Sequence, residues 1–261
     1  MILRKYNSND FLQVKKLYQD CLNFDMDELF YNYLYKVEDD YQSVVCVIDD
    51  QIVGHNAIIK KEYLYKENLV KIGLSSGGMV SNLYSGVFYN ILKYSFNKFE
   101  GDGIIAFPNV NSIKFFTKIF KFNEITDNYF YLTHENLLIP NDYKEQEAEF
   151  LLSPFCFKYR LDHPRNTYKS IKIKNCEIIY KSYKNEADLL FISNFGKGFI
   201  DCLKHIFLEG FFQLNLISNN IQLVSSFGFV KKKNNSFVYK WKNSKYQNFK
   251  FPCQMIDSDV F

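Results

Sequence analysis

Net charge is nearly absent from this chain of 261 residues, at +3, so it lacks the broad basic surface that nucleic acid or an anionic membrane would demand. Cysteine occurs six times, at Cys21, Cys46, Cys156, Cys176, Cys202 and Cys253, but never as a CxxC pair and never at a spacing from histidine that suits zinc. That pattern fits buried thiols in a reducing compartment and implies no metal. Long apolar runs are missing too. The first ten residues, MILRKYNSND, have no apolar signal core, and the most apolar later stretch, residues 189–217, is interrupted by Lys197, Asp201, Lys204, His205 and Glu209. A span needs ~20 nearly uninterrupted apolar residues, so the expectation is a cytoplasmic protein without a membrane span. The 20 tyrosines and 27 phenylalanines are scattered and not clustered with arginine, which excludes a base-stacking platform.

What is present describes an ordinary folded protein, 47% hydrophobic and 23% charged, long enough for two small domains or one enlarged one. Residues 2–6 read as a strand, and Asn9 or Asp10 caps a helix whose apolar positions Phe11, Val14, Leu17 and Cys21 recur at helical spacing. A second helix fits residues 27–37. Residues 43–48 and 52–60 are β-rich runs joined at Asp49, Asp50 and Gln51 in a hairpin, followed by a long strand ending at Val80.

Residues 70–122 then place a strand, a turn containing Gly86, a helix, a second strand and an asparagine-led helix in immediate succession. A strand delivered straight into a helix N-terminus presents unpaired N–H groups and the positive end of the helix dipole, which together attract a pyrophosphate. Gly86 stands where that approach is closest. This stretch resembles the acyl-CoA-binding core of the GNAT superfamily of N-acyltransferases, whose signature is Arg/Gln-x-x-Gly-x-Gly/Ala. Gly86 takes the place of the first glycine, with Leu83 at the Arg/Gln place and Phe88 at the second Gly/Ala place. Ile104 to Ser112 then look like the family's fifth strand and Asn-led fourth helix, and Phe120-Lys121-Phe122 like its closing Gly-Phe.

The resemblance implies acetyl-CoA as co-substrate, held by Met79, Val80, Ser81, Ser85, Gly86, Val87, Phe88, Asn111, Ser112 and Phe116. It also implies a thioester carbonyl bound by backbone N–H groups from Gly78 to Val80 on the splayed fourth strand. The family's usual tyrosine on the fourth helix, the acid toward the thiolate, is replaced by Phe115, Phe116 and Thr117.

The second half repeats the end of the first. Residues 212–217, then Asn219 and Asn220, then a helix to Phe227-Gly228-Phe229 and a terminal hairpin through Trp241, parallel residues 104–122 at a shift of about 107 residues, a duplication with two copies. The fold class expected is therefore α/β (α+β), two tandem GNAT-like domains, each a mixed, mostly antiparallel sheet flanked by helices. The division is placed at the turn around Pro140, giving residues 1–138, with the acetyl-CoA site, and residues 139–261, a degenerate copy. Gly196-Lys197-Gly198 reads either as a plain loop before a helix or as a second phosphate turn.

Attack of an amine on a thioester calls for a base working near neutral pH, which favours histidine. His55, in Ile52-Val53-Gly54-His55-Asn56-Ala57, is the candidate catalytic base, or else a packed strand residue. His163, in Arg160-Leu161-Asp162-His163-Pro164, is a substrate contact or a structural loop residue. Asp257 and Asp259, in a C-terminal tail similar to those of tandem GNAT-like proteins encoded with surface-polysaccharide enzymes, bind the acceptor or cap a strand. The resemblance thus implies N-acetylation of a small-molecule amino sugar, nucleotide-linked, for a bacterial surface glycan. Two other readings stay open. A non-catalytic GNAT-fold binding or sensor module would account for Leu83 and Phe88, and an aminoacyl transferase of the peptidoglycan-bridge type would need a basic face for tRNA.

Overall fold

The computed structural model describes residues 1–35, 42–65, 68–140, 146–147, 151–152, 161–162, 167–218 and 220–247. They fall into two compact units. The described residues of Met1–Glu62, Val70–Phe107 and Tyr239–Asn248 form the first, and those of Tyr63–Leu69 and Pro108–Val238 the second. Relative to the expected division at 138/139, residues 108–138 thus belong with the second unit and residues 239–247 with the first.

In the first unit, strand β1 (Ile2–Lys5) leads into helix α1 (Phe11–Leu22), followed by α2 (Glu28–Tyr35), β2 (Gln42–Ile48), β3 (Gln51–Tyr65), β4 (Asn68–Val80), α3 (Val87–Lys98) and β5 (Gly103–Ala106). Entry into α1 is fixed by a capping box. In the 3₁₀ turn Ser8–Asp10 that precedes it, Asn7 accepts from the Asn9 N–H at 3.0 Å and Asp10 accepts from the Asn7 N–H at 2.8 Å, and Asp10 then stands at the N-cap position of α1 without a side-chain cap bond. Arg4 clamps both oxygens of Asp10, at 2.6 and 2.7 Å. Asp27 caps α2 by accepting from the Phe30 N–H at 2.7 Å. Asp49 and Asp50 both adopt left-handed backbone, which gives a two-residue loop the twist needed to pair β2 with β3.

Strands of this unit run in the order β1-β2-β3-β4-β5. Pairing between β4 and β5 is parallel and α3 makes the crossover, packing Val87 and Ile91 onto Val44, Cys46 and Val53. The β4–β5 register runs from Ile72↔Gly103 to Ser75↔Ala106 and stops, so residues 76–80 of β4 continue beyond the end of β5. Helices α1 and α2 supply a separate buried layer through Val14, Leu17, Tyr18, Phe30, Tyr31, Leu34 and Tyr35.

The second unit contains β6 (Asn123–Thr133), the short β7 (Gln146–Glu147) and β8 (Leu151–Leu152), then β9 (Tyr168–Ile173), β10 (Cys176–Tyr183), β11 (Glu186–Ile192) and β12 (Asn194–Phe195). Helix α4 (Lys197–Leu208), β13 (Gln213–Ser218), α5 (Ile221–Ser226) and β14 (Val230–Trp241) complete the series. Its strands order as β14-β6-β13-β11-β10-β9, with β11 and β13 parallel and α4 crossing between them. Phe199, Leu203 and Ile206 of α4 bury against Ile178, Leu189, Leu214 and Leu216. The β11-α4-β13 unit therefore repeats β4-α3-β5, as expected of two GNAT-like domains. The terminal hairpin is a correction: residues 230–241 form one unbroken strand. Its last residues serve the first unit, where Trp241 lies against Gly103 and Asp102 accepts from the Lys242 and Asn243 N–H groups at 2.7 and 3.0 Å.

Candidate active site

The candidate site of the first unit is built where β4 outruns β5. Residues 76–80 carry a local distortion at Gly77, which takes φ +59, in the left-handed region. A side chain there would be excluded twice over. It would be strained by the backbone, and its Cβ would stand 2.3 Å from the Tyr18 hydroxyl and 2.6 Å from that of Tyr35.

The Gly77 carbonyl is held by His55, whose Nδ1 lies 2.8 Å away and so carries the proton. Its Nε2 is then the accepting nitrogen, within 2.7 Å of the Ser43 hydroxyl and 3.0 Å of the Tyr31 hydroxyl. Tyr18 and Tyr35 share a hydrogen bond of 2.5 Å, and the rings of Tyr18, Tyr31 and Tyr35 surround the imidazole at 5.5 to 5.8 Å. His55 has no exposed surface, and burial pushes its pKa down to about 4 against the weaker opposing effect of the Gly77 carbonyl. Burial likewise raises Tyr35 to about 12. The cluster is thus neutral and proton-satisfied. His55 is correspondingly not placed as a general base: both nitrogens are engaged and the ring is sealed, so its role is to fix the backbone of β4 at Gly77.

Beyond Val80 the chain enters an exposed turn. The Ser81 N–H donates to the Val53 carbonyl at 2.8 Å, residues 82–84 make one turn of 3₁₀ helix, and Gly86 opens α3 with no side-chain cap. Leu83 is 88% exposed, and Ser85 and Gly86 are exposed beside it. A Cβ built on Gly86 meets nothing within 4 Å, and its φ of −62 is open to any residue, so neither packing nor conformation requires glycine here. The N-terminus of a 12-residue helix stands at this exposed turn, with the Phe88 N–H donating to the Ser85 carbonyl at 3.2 Å and no side-chain cap, and its dipole suits an anion.

The residues expected to hold acetyl-CoA divide accordingly. Ser81, Ser85, Gly86 and Phe88 lie at this turn. Met79 is buried, Val80 is half-buried, and the side chain of Val87 joins the core beneath α3. In the second unit, Asn109 caps the following helix by accepting from the N–H groups of Asn111 and Ser112 at 3.1 and 3.0 Å. Residues 115–119 continue as π-helix, with Phe116 buried edge-on against Phe122. The side chains of Val87 and Phe116 are buried in hydrophobic packing, so a contact from Val87 to the donor would be made by its backbone N–H. His163, Asp257 and Asp259 lie outside the described residues.

The turn at α4 is different in kind. A Cβ at Gly198 would stand 2.6 Å from the Ile173 carbonyl and 3.0 Å from Cys176 Cβ, and Lys174 pairs with Asp201 at 2.5 Å. Glycine at 198 is explained by the β9–β10 turn packing across the first turn of α4.

No protein-family model and no curated protein matches the sequence. Solved structures do match. The GCN5-related N-acetyltransferase from Kribbella flavida aligns with a TM-score of 0.69 at 11% identity, over 92% of this chain and 71% of that one. The chain has the GNAT fold. A GCN5-related N-acetyltransferase from Anabaena variabilis gives 0.68 at 8% identity, covering 92% and 72%, and Eis1 from Mycobacterium abscessus gives 0.66 at 7%, covering 92% and 74%. In this GNAT fold the open turn before α3 and the free end of β4 belong to the same unit. Among the described residues no helix is long and apolar enough to cross a membrane, and no cluster of His, Cys, Asp or Glu suits a metal.

Sequence reasoning missed Asn56, Ser43 and the three tyrosines around His55. The signal available for the site was Ser75-Ser76-Gly77-Gly78, a glycine pair inside a strand, which marks a bulge or a close approach of another group.

Proposed function

We propose that the protein is an acetyl-CoA-dependent N-acetyltransferase, transferring the acyl group directly from the thioester to the amine of a small acceptor. The observation that carries this is the N-terminus of α3 at Gly86, open and without a side-chain cap, in the same unit as the end of β4 that extends beyond its pairing with β5, in a chain of GNAT fold. The α3 N–H groups would take the pyrophosphate. Backbone N–H groups from Gly78 to Val80 would take the thioester carbonyl, favouring the charge that builds on its oxygen as the amine attacks. With His55 sealed, the acceptor would attack as the free amine, its ammonium having lost a proton to solvent; the C–S bond breaks as the C–N bond forms, CoA leaves as the thiolate and is protonated from solvent, and much of the acceleration comes from holding amine and thioester together.

An amino-sugar acceptor, nucleotide-linked and destined for a bacterial surface glycan, belongs to the same proposal on the strength of the sequence resemblance, with His163, Asp257 and Asp259 as its contacts. The test is calorimetric titration with acetyl-CoA. Wild type is expected to bind, and Gly86→Asp, which sets a carboxylate before the α3 N-terminus, to lose binding while melting at the wild-type temperature. Absence of binding by wild type at millimolar ligand would overturn the enzymatic reading in favour of a non-catalytic module.

A further inference from the structure

Two of the six cysteines meet in the second unit, both as free thiols. Cys176 is the first residue of β10, opposite Ile173 across the β9–β10 turn, and Cys202 lies in the second turn of α4. Gly198 and Cys202 stand one helical turn apart on one face of that helix. Cys176 covers this face: a Cβ on Gly198 would stand 3.0 Å from Cys176 Cβ, and Cys202 Sγ donates to the Cys176 carbonyl at 3.8 Å. Neither cysteine has exposed surface, and both share a buried cluster with Ile178, Phe199 and Leu203.

A single core thiol behaves as a small apolar group and calls for nothing more. Two thiols in contact, one on a strand and one on a helix, are also each other's nearest reaction partner. Glycine at 198 lets β10 approach α4 closely enough for this contact. The thiols hydrogen bond to each other. That bond, with the Ile173 N–H, holds Cys202 below the usual thiol range against the effect of burial, while the same bond and burial push Cys176 up. Cys202 is therefore the sulfur that ionises first and the nucleophile of the pair.

We propose that Cys176 and Cys202 form a redox latch, a dithiol that a peroxide converts to a disulfide tying α4 to the start of β10. The Cys202 thiolate attacks one oxygen of hydrogen peroxide, the O–O bond breaks, and Cys202 becomes a sulfenic acid as hydroxide leaves. The Cys176 sulfur then displaces the sulfenic oxygen, its proton departs with that hydroxyl as water, and the S–S bond forms. The two thiols have together given up two electrons and two protons, and the peroxide has become two waters. Peroxide reaches the packed pair through local opening of the β9–β10 turn, and a small thiol reverses the bond by exchange. The latch concerns the second unit alone and does not depend on the acyltransferase reading.

The test treats the reduced, full-length protein with hydrogen peroxide, alkylates the remaining thiols in denaturant, and maps the peptides by mass. The expected product is a peptide pair linked through Cys176 and Cys202, lighter by two hydrogens than its reduced parts and released by dithiothreitol. The cysteines stand 26 residues apart, so the link should raise the urea midpoint, equivalent to a folding constant larger on the order of a hundredfold. Cys202→Ala treated alike should show no rise. The mapping is made on wild type and holds whether or not that variant folds. Recovery of Cys176 and Cys202 as two alkylated thiols would overturn the inference, as would their separate oxidation to sulfinic acids without a link. A linked protein with the urea midpoint of the reduced one would overturn it too, since the bond would then restrain nothing.

Discussion

His55 illustrates how a residue picked for its chemistry can be diverted by its environment. Its folded pKa of about 4 lies below the ordinary 6.5, so between these values the unfolded chain binds the proton that the folded chain refuses. Stability is therefore complete above about pH 6.5 and falls as pH drops through the folded value, by on the order of 3 kcal/mol for this one group. Urea midpoints measured from pH 7 to 4 should decline in wild type. His55→Gln, which cannot titrate, should start lower and decline less steeply; an identical slope would mean that the folded chain takes up the His55 proton as readily as the unfolded one. Two glycines make a matching contrast. Gly77→Ala meets both the left-handed backbone and the Tyr18 and Tyr35 hydroxyls, so a loss of about 3 kcal/mol is expected. Gly86→Ala meets neither and should melt within a degree or two of wild type or slightly above, by up to ~1 kcal/mol. A thermal melt of the pair distinguishes a glycine kept by the fold from one kept open for a ligand.

At the scale of elements, much of the first unit was legible because its signals are local. Helical spacing marked α1 and α2, the Asp49-Asp50 pair marked the β2–β3 loop, and Gly86 marked the start of α3. The site was legible in its backbone, the turn and the free end of β4, and illegible in its side chains. The Ser43–Tyr31–His55–Gly77 cluster draws on four elements far apart in sequence, and no periodicity records such a meeting. β14 was misread for the same reason. A hairpin was expected through Trp241, yet residues 230–241 are one strand, where tertiary pairing overrides weak β-propensity. The end of β14 can be tested through Trp241, which packs on Gly103 and on Tyr246 at 5.3 Å. Trp241→Ala should cost about 3 kcal/mol, read as a shifted denaturant midpoint, and should weaken acetyl-CoA binding as the first unit loosens. A wild-type midpoint would show that the returning strand is dispensable to the unit.

For the whole molecule, duplication of the strand-helix-strand unit poses the number of ligand sites per chain as a measurable quantity. Both copies have a parallel strand pair and a 12-residue crossover helix begun by a glycine-containing turn. Only the first leaves that turn open. In the second, the β9–β10 turn packs against the first turn of α4, with Gly198 under the Ile173 carbonyl and Lys174 paired to Asp201. A copy whose anion-binding end is packed by its own hairpin contributes scaffold rather than a second donor site. Titration with acetyl-CoA should therefore saturate at one molecule per chain. Lys197→Glu, at an exposed position of the second turn, places a negative charge where a pyrophosphate would lie and should leave both affinity and stoichiometry unchanged. Two equivalents bound by wild type, falling to one in Lys197→Glu, would mean that the β9–β10 turn swings clear and that both copies bind the donor.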